Sequence, residues 1–120
     1  MGDFHCEVHL PSMRPEVAVL RVSGSLDAYA LPDLEKTLQD LIREKHCHMV
    51  VNCEKLRFIS SSGMGLFLGT LGEVEKQGGS VSFVQVTQPE VHDAMSLLGF
   101  FEVFPVFDQE AEAIQKQRQR

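Results

Sequence analysis

Residues Leu56-Arg57-Phe58-Ile59-Ser60-Ser61-Ser62-Gly63-Met64-Gly65 decide the fold. Upstream lies a short apolar run, Met49-Val50-Val51, which reads as the core of a buried strand. Downstream, Met64, Phe67, Leu68 and Leu71 recur at helical spacing, so a helix is predicted over 62–77, ended by Gly78-Gly79. Between the two, residues 54–61 are read as leading out of the strand, with the serines forming a strand-to-helix turn. Serine is among the best helix N-caps, which fixes where the period changes.

Toward the N-terminus, Phe4, Cys6, Val8 and Leu10 alternate with His5, Glu7 and His9, the period of a half-buried strand. Residues 11–15 carry two prolines and make a turn. Val17 to Val22 is apolar except for Arg21 and reads as a more deeply buried strand. Residues 24–31 are read as a loop, and Pro32 opens a helix at the position where proline costs least. Leu34, Leu38, Leu41 and Ile42 form its buried stripe. Past the glycine pair, residues 81–86 read as another strand. Pro89 opens a third helix, with Val91, Ala94, Met95 and Leu98 inward and Gly99 at its end. Residues 103–106 read as a short strand that Pro105 confines to a sheet edge. Asp108 is a good N-cap for a last helix over 109–117. The order β-β-α-β-α-β-α-β-α predicts an α/β fold: a mixed, mainly parallel β-sheet packed with about four α-helices. One domain is expected over 1–120, with its core from about 4 to about 115.

Apolar residues make up 43% of the chain and charged residues 23%, which separates it from disordered sequences. The net charge of −6 argues against nucleic-acid binding, which needs clustered Lys and Arg. The basic cluster Lys116 to Arg120 complements the dipole of a helix end. Cys6, Cys47 and Cys53 are odd in number and irregularly spaced, so they suggest reduced thiols and a cytoplasmic protein. No basic segment followed by an apolar run opens the chain, and no run approaches the ~18 residues of a membrane span. Neither secretion nor membrane insertion is expected.

The serine turn is the strongest functional candidate. A helix N-terminus has unpaired N–H groups and partial positive charge, so it accommodates a phosphate. Phosphorylation there adds about −1.5 to −2 charges, enough to repel a partner fitted to the neutral form. Capping alone is the plainer role for these serines. Gly65, Gly69 and Gly72 line one side of the same helix, and each interior glycine costs about 0.8–1.0 kcal/mol relative to alanine. Either a neighbouring backbone approaches closely there or a shallow surface receives a partner. Leu66 and Thr70 are placed on the face opposite the core stripe, where they would join that surface. Asp27, in the preceding loop, either tunes the serine site or bonds its own backbone. Catalysis is not expected, because no Gly-x-Ser-x-Gly elbow, Gly-Lys-Ser/Thr loop or adjacent base is present. The groups His46, Cys47, His48, Cys53 and His5, Cys6, His9 lack zinc-type spacing, so neither a metal nor a cofactor is expected.

The segments Val19-Leu20-Arg21-Val22-Ser23-Gly24-Ser25-Leu26-Asp27, Met49-Val50-Val51-Asn52-Cys53 and Leu56 to Gly65 together resemble the STAS domain of bacterial anti-sigma factor antagonists. The resemblance implies a switch. In that family the unphosphorylated antagonist binds an anti-sigma factor that is also a serine kinase, phosphorylation of a turn serine dissolves the complex, and a metal-dependent serine phosphatase resets it. Aligned on Ser-Ser-Gly-x-Gly, the modified serine falls on Ser61, with Ser60 and Ser62 as alternatives. The partner surface implied is Asp27, Ser60, Ser61, Ser62, Gly63, Met64, Gly65, Leu66 and Thr70. Two positions depart from the family: Ser60 and Asn52 stand where Asp is usual. Their neutrality leaves a second reading open, an unswitched STAS interaction module in a stress-signalling assembly or transporter accessory complex.

Overall fold

The computed structural model describes residues 3–117. Strand β1 (His5–His9) pairs antiparallel with β2 (Val17–Leu26). Helix α1 (Leu31–Arg43) leads to β3 (His48–Ile59), helix α2 (Ser61–Glu75) and β4 (Ser80–Val84). Helices α3 (Pro89–Leu97) and α4 (Phe100–Val103) precede the short β5 (Val106–Phe107) and helix α5 (Glu110–Gln117). The sheet order is β1-β2-β3-β4-β5, and every pair after the first is parallel. The expected mixed, mainly parallel sheet is therefore present, with five helices, α4 being one short turn.

Several boundaries differ from the sequence reading. Strand β2 runs on to Leu26, through residues read as loop. Gly24 makes this possible: it sits at φ +85°, and a Cβ there would stand 2.2 Å from the carbonyl oxygen of Asp3. Strand β3 likewise continues to Ile59. Two irregularities hide its period. From Arg21 to Ser23 is two steps on β2 but Asn52 to Lys55 is three on β3, and Gly24 to Ser25 is one step against two from Leu56 to Phe58. Each bulge re-aims the following side chains. Cys53, Leu56 and Ile59 are consequently buried at every third position instead of every second.

The buried faces of the helices differ in part from the sequence pattern. Leu34, Leu38, Leu41 and Ile42 are buried as expected. In α2 the inward residues are Met64, Phe67, Thr70 and Val74, whereas Leu68 is 44% exposed. Leu98 is exposed, so α3 is held by Val91 and Met95 with half-buried Ala94. Residues 100–103 are helical, which leaves only Val106 and Phe107 as the edge strand. Strand β4 stops at Val84. Val8 and Leu10 are exposed at the far end of the opening strand region. Of the basic C-terminal cluster, residues 118–120 lie outside the described residues.

The sheet separates two cores. The larger contains Leu20, Met49, Val51 and Phe83 from the strands and packs them against α1, α2, α3 and α4. Phe83 is its centre, meeting Phe67 at 5.2 Å and Phe104 at 5.1 Å, both edge to face. Such pairs add about 0.5–1.5 kcal/mol each beyond area burial, and here they fasten α2 and the residue that follows α4 to β4. The smaller core joins Val17, Val19, Val50 and Val84 to Ala113 of α5 on the other face.

Helix α5 is anchored by its first residue. Arg21 donates from Nε and Nη2 to the two Glu110 carboxylate oxygens, both at 2.9 Å, and Asn52 Nδ2 donates to Glu110 Oε2 at 2.7 Å. The Arg21 hydrogen bonds, opposed by partial burial and aided by Asn52, hold the Glu110 carboxyl below its ordinary range. A carboxylate depressed in the folded state stabilises fully above its unfolded value and loses that contribution as pH falls through its folded value. Glu110→Gln is thus expected to cost about 1 kcal/mol at neutral pH, since Arg21 is partly solvated. Thermal unfolding as a function of pH should show this deficit shrinking in acid; a constant deficit would contradict the anchoring role.

Candidate functional site at the serine turn

The turn forms where β2 and β3 end together. Ser60 N donates to Leu26 O at 2.9 Å, which ties the end of β3 to that of β2. Gly63 then presses against the same place. A Cβ on it would lie 2.9 Å from Leu26 Cγ and 3.3 Å from Ile59 Cγ1, so only glycine seats the first turn of α2 this closely. This is a packing requirement, because Gly63 is buried and has an ordinary helical backbone.

Ser60 is the N-cap, at φ −81° and ψ 164°, and its Oγ accepts from Gly63 N at 3.0 Å. Ser62 Oγ lies 3.1 Å from Ser60 Oγ. Ser61 is the first helical residue, is exposed, and its hydroxyl makes no hydrogen bond among the described residues. No acidic side chain occupies the first turn of α2. The partial positive charge of the helix end is therefore not offset by its own residues.

The residues assigned to the partner surface fall into two sets. Ser61, Ser62 and Gly65 are exposed, Ser60 is half-buried, and Leu66 is half-buried against the large core. Met64 is inward as its place in the helical stripe predicts, 4% exposed, and Thr70 is corrected to an inward position, 2% exposed; with buried Gly63 they lie off the partner surface. Thr70 Oγ1 donates to Leu66 O at 2.8 Å, which satisfies its buried hydroxyl inside the helix. The sequence reading missed Leu68, which lies on the outer face among Gly65, Gly69 and Gly72. Only the spacing of these glycines could have flagged it. Apart from the helix's own adjacent backbone, no described atom comes within 4 Å of a Cβ built on any of the three, so no backbone of another element accounts for them.

Asp27 adjoins the turn through the Leu26–Ser60 bond, but its carboxylate serves its own loop. Oδ1 accepts from Tyr29 N at 3.1 Å and from Ala30 N at 3.2 Å, which organises the approach to α1. The cysteine and histidine groups weighed as ligands do not assemble: among the described residues no three His, Cys, Asp or Glu side chains are placed to hold a metal ion. Burial pushes the Cys53 thiol up to about 12, away from the thiolate form a metal needs.

These placements predict opposite signs for similar substitutions in α2, measurable by denaturant unfolding. Ser60→Ala should lose about 1 kcal/mol with its cap, and Ser61→Ala should change stability by less than about 0.5 kcal/mol. Gly69→Ala should gain about 0.8–1.0 kcal/mol in helix propensity. Gly63→Ala should lose about 1–3 kcal/mol by overpacking Leu26.

Comparison with known proteins agrees with this architecture. A family model described as STAS domain matches residues 12–113. An anti-sigma F factor antagonist of Paenibacillus polymyxa is 30% identical over 99 residues, 82% of this chain and 84% of that protein. The crystal structure of an anti-sigma factor antagonist from Mycobacterium paratuberculosis superposes with a TM-score of 0.83 at 22% identity, covering 97% of this chain and 95% of that one. The Bacillus cell fate determinant SpoIIAA in its phosphorylated form superposes with a TM-score of 0.71 at 25% identity, covering 97% and 100%. The chain belongs to the STAS domain family, among the anti-sigma factor antagonists.

Proposed function

We propose that this chain binds an anti-sigma factor with serine kinase activity while unphosphorylated, and that phosphorylation of Ser61 releases it, so regulating sigma-dependent transcription. The observation that carries the reading is the position of Ser61: exposed, without a side-chain partner, and first in a helix whose opening turn holds no acid. A kinase can reach that hydroxyl without dismantling the cap, since Ser60 is the capping residue. The helix N-terminus favours the resulting anion. The outer face of α2, from Ser61 and Ser62 through Gly65 and Leu68 to Gly72, is the contact surface in this reading. A metal-dependent phosphatase would act on the same exposed serine. No base is paired with any of its serines among the described residues, so this reading uses the site as a binding surface. A cytoplasmic location follows from such partners, and no helix among the described residues is long and apolar enough to cross a membrane.

Moving a partner equilibrium from 1:99 to 99:1 takes about 5.5 kcal/mol of differential binding. A phosphate desolvated against a fitted surface supplies repulsion of that kind. Affinity for the partner kinase should be retained in Ser61→Ala and fall by at least about tenfold (1.4 kcal/mol) in Ser61→Asp, and further in protein phosphorylated at Ser61. Calorimetric titration measures all three. Equal affinity for the alanine variant and the phosphoprotein would remove the switch and leave an unswitched interaction module.

A further inference from the structure

The sheet face opposite α2 carries a second candidate site. Helix α5 is short, and it covers only the apolar ends of the central strands, at Val17, Val19, Val50 and Val84. Sheets of this kind are ordinarily apolar on both faces. Here the outward row changes character beyond those residues. Glu7 pairs with Arg21, and Arg21 with Asn52, so the three lie side by side across β1, β2 and β3. His5 and Ser23 form the next row. Together with the start of α5 they line an open cleft of about 660 Å³, within the size range of small-molecule sites.

Two backbone irregularities shape its lining. The first bulge of β3 leaves Glu54 and Lys55 both exposed and both on the cleft, where a regular strand would send them to opposite faces. An anion and a cation are thereby presented next to each other. Neither makes an ion pair or side-chain hydrogen bond among the described residues. The second is Gln85, held at φ 56° where β4 ends. Its N–H donates to Phe107 O at 3.1 Å and its carbonyl accepts from Thr87 N at 2.9 Å. Gln85 is half-buried and lines the cleft, and its side-chain amide makes no hydrogen bond among the described residues.

The chemistry of the lining narrows the ligand. Arg21 balances Glu110, to which Asn52 also donates, and faces Glu7 across the strands, so the remaining negative charge of Glu7 and Glu54 attracts a cation and Lys55 attracts an anion. Three carboxylates against Arg21 and Lys55 oppose a polyphosphate. Among the described lining residues the aromatic ring is the exposed imidazole of His5, so no Phe, Tyr or Trp face is offered to a nucleobase or a sugar ring. We infer that this cleft binds a small zwitterion of the free α-amino acid class. Its ammonium sits between Glu7 and Glu54, its carboxylate meets Lys55, and Ser23 and Gln85 complete its hydrogen bonds.

The test is a titration of the isotopically labelled full chain with the free L-amino acids, each to about 10 mM, followed by amide NMR shifts. At least one should give saturable shifts confined to the neighbourhood of Ser23, Asn52, Glu54 and Gln85. The exposed substitutions Glu54→Gln and Lys55→Gln should each weaken that binding by about tenfold while the remaining spectrum stays unchanged. Absence of saturation for every amino acid would overturn the proposal. So would equal shifts from acetate or methylamine alone, which would make this a simple counter-ion site, or saturation by ATP in their place. The cleft and Ser61 lie on different elements, so failure here leaves the serine switch untouched.

Discussion

The contact between Gly63 and Leu26 is the constraint on which the functional end of this protein depends. Strands β2 and β3 finish together because Ser60 N reaches Leu26 O, and α2 begins on top of them because Gly63 offers no Cβ to Leu26. Once that turn is seated, the helical period does the rest. Met64, Phe67, Thr70 and Val74 must face the sheet, and Ser61, Gly65, Leu68 and Gly72 must face away. Phe83 reinforces this from below through Phe67, so the rotation of α2 about its axis is fixed at two separate levels. The exposure of Ser61 is thus a consequence of buried residues, not of its own interactions.

The legible parts of the sequence were those where one period governs. Helix α1 has a clean stripe of Leu34, Leu38, Leu41 and Ile42 and was placed from pattern alone. Helix α2 was located correctly but turned wrongly, because Leu66, Leu68 and Leu71 surround Met64 and Phe67 and blur the apolar face. Thr70, placed opposite the stripe by the same misphased face, is buried instead, and by donating to the carbonyl four residues back it needs no outside partner. The ends of β2 and β3 were illegible for a different reason. Paired bulges change which residues face inward, and a bulge is a property of two strands in register, which neither strand's sequence shows alone.

The two positions that depart from the family pattern have separate local causes. Asn52 faces Glu110 across 2.7 Å, and its amide donates where an aspartate could only repel. Neutrality at this position follows from the charge that begins α5, so it reports on the attachment of that helix and says little about the serine turn. Ser60 differs, because it belongs to the turn itself. Its Oγ accepts from Gly63 N as an aspartate carboxylate would, so the cap is geometrically complete without a charge.

That completeness bears on the electrostatics of a switch. With aspartate at the cap, the helix end already carries an anion, and a phosphate on the next residue would be added against repulsion from it. With Ser60, the first turn of α2 contains no acid, and the helix dipole is available to the phosphate alone. The change in local charge, about −1.5 to −2, then acts on a previously neutral surface. A partner fitted to the unmodified turn would tolerate apolar Leu68 and the glycine backbones around it but have no provision for an anion. Under the proposed switch, serine in place of aspartate would preserve the contrast between the two states, and what it would remove is a negative charge beside the hydroxyl that a kinase would approach. In the proposed switch, the departure would bear on how quickly Ser61 is modified more than on what its modification does.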